Sequence, residues 1–196
     1  MQPLCPGCQN PATHSFSGGL EIEPEDLAYQ IIREAADGTE GITISGGEPM
    51  SQAASLYRFI CMINAIRPQW DIGLFTGYTV TELQTGHYDM REPFSEFANT
   101  FEQSMENQRL WNLQILDRLT WAVFGRFDSS RPTLDNQPHH KLCSSANQHL
   151  MIFQRYWRRW SYDDFPARSM EVNIEPDGLV KISGFPPIKS TEGEHA

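Results

Sequence analysis

Apolar residues recur at helical spacing near the start of the chain. Leu27, Ile31 and Ala35, with Ala28 and Ile32 beside them, make one stripe. Pro24 suits a first helical turn, Glu25 and Asp26 favour the positive end of its dipole, and Asp37-Gly38 ends it. Before it lies a loop from Met1 to about Ile22. Gly41 to Ser45 is a β-branched run that predicts a short buried strand. The period then returns to helical through Ala53, Leu56, Ile60 and Ile63, and stops before Pro68. Ile72 to Phe75 predicts a second strand ending in Thr76-Gly77-Tyr78, and Leu119 to Phe124 a third. Between them a longer helical region follows Pro93, with Phe94, Phe97, Phe101, Leu110, Leu113 and Leu116. Glu171 to Ile174 and Leu179 to Ser183 flank Pro176-Asp177-Gly178, a hairpin signal.

Strands alternating with helices predict an α/β fold, a parallel sheet covered by crossover helices. With 196 residues, one domain is expected. The strands are too few for a closed eight-stranded barrel, which takes about 250 residues. An open, partial barrel of the TIM type fits, over residues 1–188, with a C-terminal β-hairpin. Residues 189–196 form a polar tail expected to be disordered.

Charge narrows the function. A formal net charge of −10 argues against general nucleic-acid binding, which clusters Lys and Arg. Arg155-Tyr156-Trp157-Arg158-Arg159-Trp160 runs against that balance and reads as a surface segment with snorkelling arginines, or else as a docking patch for an acidic protein. No apolar run approaches the roughly 20 residues of a membrane helix. With four irregularly spaced cysteines and no export signal in Met-Gln-Pro-Leu-Cys-Pro, a reducing cytoplasm is expected.

The chemistry concentrates in two motifs. Cys5-Pro6-Gly7-Cys8 has a spacing that turns two sulfurs onto one metal centre; half a zinc site or a redox pair are the competing readings. Gly46-Gly47-Glu48-Pro49 puts bare backbone and one carboxylate at the end of a strand, although by itself it reads as an ordinary turn. Cys61, among Phe59, Ile60 and Ile63, reads as a buried hydrophobe. Cys143 lies in a polar loop without an assigned role, and His139-His140 and His149 read as solvated.

In this order the motifs resemble the radical S-adenosylmethionine (SAM) activating enzymes. Cys5 to Pro11 is similar to the cluster loop of the anaerobic ribonucleotide reductase activating proteins. Gly46 to Pro49 is similar to the family's GGEP motif and Thr76-Gly77-Tyr78 to its TGY. Gly125-Arg126-Phe127-Asp128 and Ser145-Ala146-Asn147-Gln148 resemble its G-x-F-D and S-x-N-Q stretches, and Gly178 to Pro186 its closing hairpin. The resemblance implies a [4Fe–4S] cluster with Cys5 and Cys8 as metal ligands. It implies SAM bound by Gly46, Gly47, Glu48 and Pro49, with Thr76 and Asn147 as further pocket residues. The implied activity is reductive cleavage of SAM to a 5′-deoxyadenosyl radical that generates a glycyl radical on a partner enzyme, such as anaerobic ribonucleotide reductase. An electron donor such as flavodoxin is the second implied partner.

The chain departs from the family at one point. The family's motif is C-x-x-x-C-x-x-C, and its first cysteine falls on Met1. Methionine's neutral thioether is a weak acceptor and does not replace a thiolate. The family also carries a strand before the cluster loop, so this first strand is expected to be missing. A start upstream of Met1 accounts for both. The alternatives are a cluster-deficient relative acting as a binding or docking protein, and a peptide-modifying radical SAM enzyme. The stretch from Gly86 to Gln108 is extra length where partner specificity could lie.

Overall fold

The computed structural model describes residues 20–86, 101–131, 141–153, 161–165, 170–174 and 180–184. The Cys5–Cys8 loop, Pro93 to Phe97, His139-His140, the Arg155–Trp160 cluster, Phe185-Pro186 and residues 189–196 lie outside this set.

Helix α1 (Pro24–Glu34) starts on the proline and carries Glu25 and Asp26 in its first turn. It leads to β1 (Gly41–Ile44), then a 3-10 turn at Pro49–Gln52 and α2 (Ala53–Ile66). Strand β2 (Asp71–Thr76) is followed by the short α3 (Val80–Thr85), then α4 (Phe101–Leu116) and β3 (Trp121–Phe124). Strand β4 (His149–Ile152) completes a four-stranded sheet, and β5 (Met170–Ile174) pairs with β6 (Val180–Gly184) as a separate antiparallel hairpin. The sheet order is β1-β2-β3-β4; the first three strands are parallel and β4 runs antiparallel. The mixed, mostly parallel open sheet and the C-terminal hairpin agree with the pattern read from sequence. Helix α3 and strand β4 do not figure in that pattern.

The pleat divides the core in two. Ile72 and Leu74 of β2, with Ala122 and Phe124 of β3, face the helices and pack with Leu56, Ile60 and Ile63 of α2. The alternate positions Phe75, Trp121 and Val123, with Leu150 and Ile152 of β4, face the other way, against Cys143 and Phe165. All four residues of β3 are buried, as expected of a strand paired on both edges and covered on both faces. Helix α2 packs against both α1 and α4, and Arg58 ties α2 to the start of α1 by bonds to Glu25 (2.7 and 2.9 Å) and Glu23 (3.1 Å).

Gly73 is what lets this second core form. A Cβ there would meet Trp121 Cζ2 at 2.1 Å, so the indole lies directly on the bare backbone of β2. The ring is flanked edge-on by Phe75 (5.5 Å between centroids) and Phe165 (5.6 Å). No helix among the described residues is long and apolar enough to cross a membrane.

Candidate functional site

Strands β1, β2 and β3 run in one direction, so the loops that follow them gather at one edge of the sheet. Antiparallel β4 begins at the same edge. The Gly46–Pro49, Thr76–Tyr78, Gly125–Asp128 and Ser145–Gln148 segments therefore come together, and hydrogen bonds join them in series. Parallel α/β sheets build ligand sites at this edge for the same topological reason.

The first junction links the turns after β1 and β2. Glu48 is 5% exposed. Its Oε1 accepts from Thr76 Oγ1 (2.7 Å) and Met50 N (3.0 Å), and its Oε2 from Gly77 N (2.7 Å). Burial pushes the carboxyl above its ordinary range; the bonds from Thr76, Gly77 and Met50 and the charge of Arg126 pull it back without cancelling that effect. The carboxylate that the motif places at the strand end thus serves the protein's own loops. Before it, Gly46 and Gly47 take φ of +79° and +47°, the left-handed region that favours glycine. Among the described residues nothing lies within 4 Å of where a Cβ on Gly46 would project. A cavity of about 450 Å³ runs along β1 and reaches Ser45, Gly46 and Pro49.

The next junction joins the turns after β2 and β3. Thr79 and Glu82 form a capping box that starts α3. Glu82 also holds Arg126 in a two-pronged pair at 2.8 and 3.0 Å. Burial alone would raise the Glu82 carboxyl, but bonds from Arg126 and Thr79 outweigh it and hold the group below its ordinary range. The Arg126 guanidinium sits 5.5 Å from the centre of the Tyr78 ring. Gly125 N donates to the carbonyls of both Thr76 and Tyr78 at 3.1 Å.

The last junction ties the segment before β4 to the turn after β3. Gln148 Nε2 donates to Gly125 O (2.8 Å), Asn147 Nδ2 to Arg126 O (2.6 Å), and Asp128 N to Ser145 Oγ (3.1 Å). Gln148 Oε1 accepts from Ser144 N and Ser145 N, closing its own loop. Asn147 Oδ1 is buried and has no hydrogen-bond partner among the described residues.

Of the residues singled out from sequence, Gly46, Gly47, Glu48, Pro49, Thr76 and Asn147 thus fall on one loop-bearing edge, while Cys5 and Cys8 lie outside the described residues. One cysteine reading needs correction and another gains a side-chain environment. Cys61 is half-buried, not buried, because its position on α2 faces the helix flank beside Tyr57. Cys143, placed by sequence in a polar loop, is fully buried with Trp121, Val123, Leu150 and Phe165. The sequence reading missed Glu82, whose signal was the Thr79-x-x-Glu82 spacing. Among the described residues no group of three His, Cys, Asp or Glu side chains could hold a metal ion.

The family model for the 4Fe-4S single cluster domain matches residues 2–151. The anaerobic ribonucleoside-triphosphate reductase-activating protein of Pasteurella multocida is 33% identical over 157 residues, covering 78% of this chain and 82% of that protein. The Vibrio cholerae protein of the same name is 34% identical over 83 residues, covering 40% of this chain and 54% of its own length. The pyruvate formate-lyase-activating enzyme of Listeria monocytogenes is 25% identical over 191 residues, 92% of this chain and 64% of that enzyme. No solved structure matches the chain. Matched across most of its length, the chain belongs to the 4Fe-4S single cluster domain family and stands among activating enzymes, as its motifs implied.

Proposed function

We propose that this protein is a radical SAM activase acting on a glycyl-radical enzyme, with a [4Fe–4S] cluster held by Cys5 and Cys8 and SAM held at the loop-bearing edge of the sheet. The reading is carried by the convergence of the Gly46–Pro49 and Thr76–Tyr78 turns, bonded through Glu48, in a chain similar to activating proteins for anaerobic ribonucleotide reductase and pyruvate formate-lyase. When bound, the two cofactors supply reductive cleavage of SAM and a 5′-deoxyadenosyl radical for glycyl-radical formation on the partner. Flavodoxin is the proposed class of electron donor.

The residues at this edge fit SAM. A glycine pair in left-handed conformation, with open space among the described residues where a Cβ on Gly46 would stand, admits a ligand against bare backbone. The negative charge of Glu48 beneath it favours a cationic sulfonium and amine. The buried Asn147 Oδ1, without a partner among the described residues, is an acceptor that a ligand donor would satisfy. The finer reading of the fold, an open partial barrel, belongs to the same proposal. It is supported by sequential strand order and by the groove beside β1, lined by Leu27, Ile31, Ile42 and Phe59, which suits a further strand.

The test is anaerobic reconstitution of the native gene product with iron and sulfide, followed by dithionite and SAM. Chromatography should detect methionine and 5′-deoxyadenosine, and Cys5→Ser and Cys8→Ser should each lose bound iron as well as product. Undiminished iron in both variants would overturn the ligand assignment. Absence of product from a sample with a full cluster would overturn the activity.

A further inference from the structure

The face of the sheet turned away from the helices carries a cavity of about 350 Å³, toward the edge where β1, β2 and β3 begin. It lies opposite the loop-bearing edge, and its described lining includes none of Gly46 to Pro49, Thr76 or Asn147. At Gly41 the strand backbone itself forms the floor; a Cβ there would meet Asp71 O at 2.3 Å. Phe75, Trp121 and Phe165 supply aromatic walls, and Leu142, held at φ +63°, packs beside them.

The carboxylates of Glu40, Asp71 and Asp164 share this lining, and among the described lining residues there is no lysine or arginine. Asp71 is half-buried, and the bond to its Oδ1 comes from a neutral hydroxyl, Thr120 Oγ1 at 3.1 Å. Asp164 Oδ2 accepts from a neutral amide, Ser161 N, at 2.6 Å. Neither donor cancels a negative charge. Lys141 pairs at 3.8 Å with Asp163, which does not line the cavity.

We propose that this cavity is a binding site for a guanidinium carried on an apolar or aromatic body. Such a group meets both halves of the lining. Its planar fork pairs with a carboxylate and its flat face stacks on an aromatic ring, while the body displaces water from Phe75, Trp121 and Phe165. A compact ammonium is more strongly hydrated, and a neutral apolar molecule would desolvate the carboxylates without pairing them. The volume of about 350 Å³ falls within the roughly 300–1,000 Å³ of small-molecule sites. Two sources offer this chemistry: a free small molecule, and the chain's own Arg155, Arg158 and Arg159, which follow β4 in sequence and precede Asp164 and Phe165.

Calorimetry on the full native gene product, purified without oxygen, separates the two sources. The probe is benzylguanidinium, with benzyl alcohol as its neutral counterpart. Saturable binding of the probe to wild type at a single site, with none of benzyl alcohol, assigns the cavity to a free ligand. Binding that emerges only when Arg155, Arg158 and Arg159 are all replaced by alanine assigns the same site to the chain's own arginines. In whichever protein binds, Asp71→Asn should weaken the probe roughly tenfold or more, the loss of one charge-assisted bond. Thr43→Phe, at an exposed strand position on the cavity lining, should block the probe while the protein still folds, whatever Asp71→Asn does to stability. The proposal is overturned if neither protein binds the probe, or if benzyl alcohol binds equally well. Undiminished affinity in Thr43→Phe or in folded Asp71→Asn overturns it too.

Discussion

Gly73→Ala should be costly for a reason that no inspection of β2 alone supplies. The added methyl would lie 2.1, 2.3 and 2.6 Å from three atoms of the Trp121 indole. Carbon atoms rest at about 3.5–4.0 Å, so the ring must retreat by more than about 1 Å. Its retreat breaks existing contacts: Trp121 is 8% exposed and held edge-on between Phe75 and Phe165. Overpacking of this kind costs about 1–3 kcal/mol. Disturbing the two edge-to-face contacts forfeits part of about 0.5–1.5 kcal/mol each. Against this, alanine lowers the entropy of the unfolded chain by about 0.4–1 kcal/mol. The net is a destabilisation of about 2 kcal/mol, or roughly 4–8 °C in Tm for a chain of this size. Urea unfolding followed by circular dichroism and by tryptophan fluorescence should show the midpoint fall with little change in m. Trp121→Leu, costly alone, should relieve the clash, so that the double variant recovers about 1 kcal/mol or more relative to additivity. A Gly73→Ala penalty below about 0.5 kcal/mol, within ordinary surface variation, or an undiminished penalty in the Trp121→Leu background, would refute the packing argument.

Gly47→Val places a β-branched residue at φ +47° and should abolish SAM binding in calorimetry while the protein still folds; unchanged affinity would dissociate the glycine pair from the ligand. Asn112 is fully buried on α4, donates to Leu83 O at 2.9 Å and accepts from Gln108. Asn112→Ala should therefore cost about 1–3 kcal/mol in urea unfolding by orphaning that carbonyl and loosening α3. Glu82, with its carboxyl held below the ordinary value of 4.5, contributes stability that is present above that value and lost as pH falls through its depressed pKa. Glu82→Gln should flatten the acid limb of a Tm-against-pH curve, and an unchanged limb would show that its pairing with Arg126 adds nothing. Glu48 has the opposite sign: its raised pKa favours folding at low pH, and that contribution fades as pH rises through it.

Where one period dominated a long stretch, the sequence was read correctly. The stripe of Leu27 and Ile31 in α1 and that of Leu56, Ile60 and Ile63 in α2 are the helix faces that form the core. Helix α3 escaped because six residues carry too little periodicity, and its only local signals were the Thr79–Glu82 box and Gly86 at φ +71°. Strand β4 escaped because its four residues alternate exposed and buried only weakly, and an antiparallel return is decided by the Trp121 and Val123 partners it meets. The burial of Cys143 likewise depends on Trp121 and Phe165, both distant in sequence. At the loop-bearing edge, the motifs fall on segments that hydrogen bonds join, but they do not give the direction in which Glu48 points. That direction is set by donors at Thr76 and Gly77, outside the Gly46–Pro49 motif.

The grip of Ser145–Gln148 on the turn after β3 falls on main-chain atoms: the carbonyls of Gly125 and Arg126 and the amide of Asp128. Gly125 is locked in place, since at φ +110° its missing Cβ would press within 3.0 Å of Asn147 O. The side chains that follow are another matter. A clasp that reads only backbone is blind to what residue 127 carries, whereas the Arg126 side chain is already engaged by Glu82 at the neighbouring junction. The turn thus divides into a fixed backbone frame, held by Gly125, Ser145, Asn147 and Gln148, and a side chain at 127 that the frame does not read.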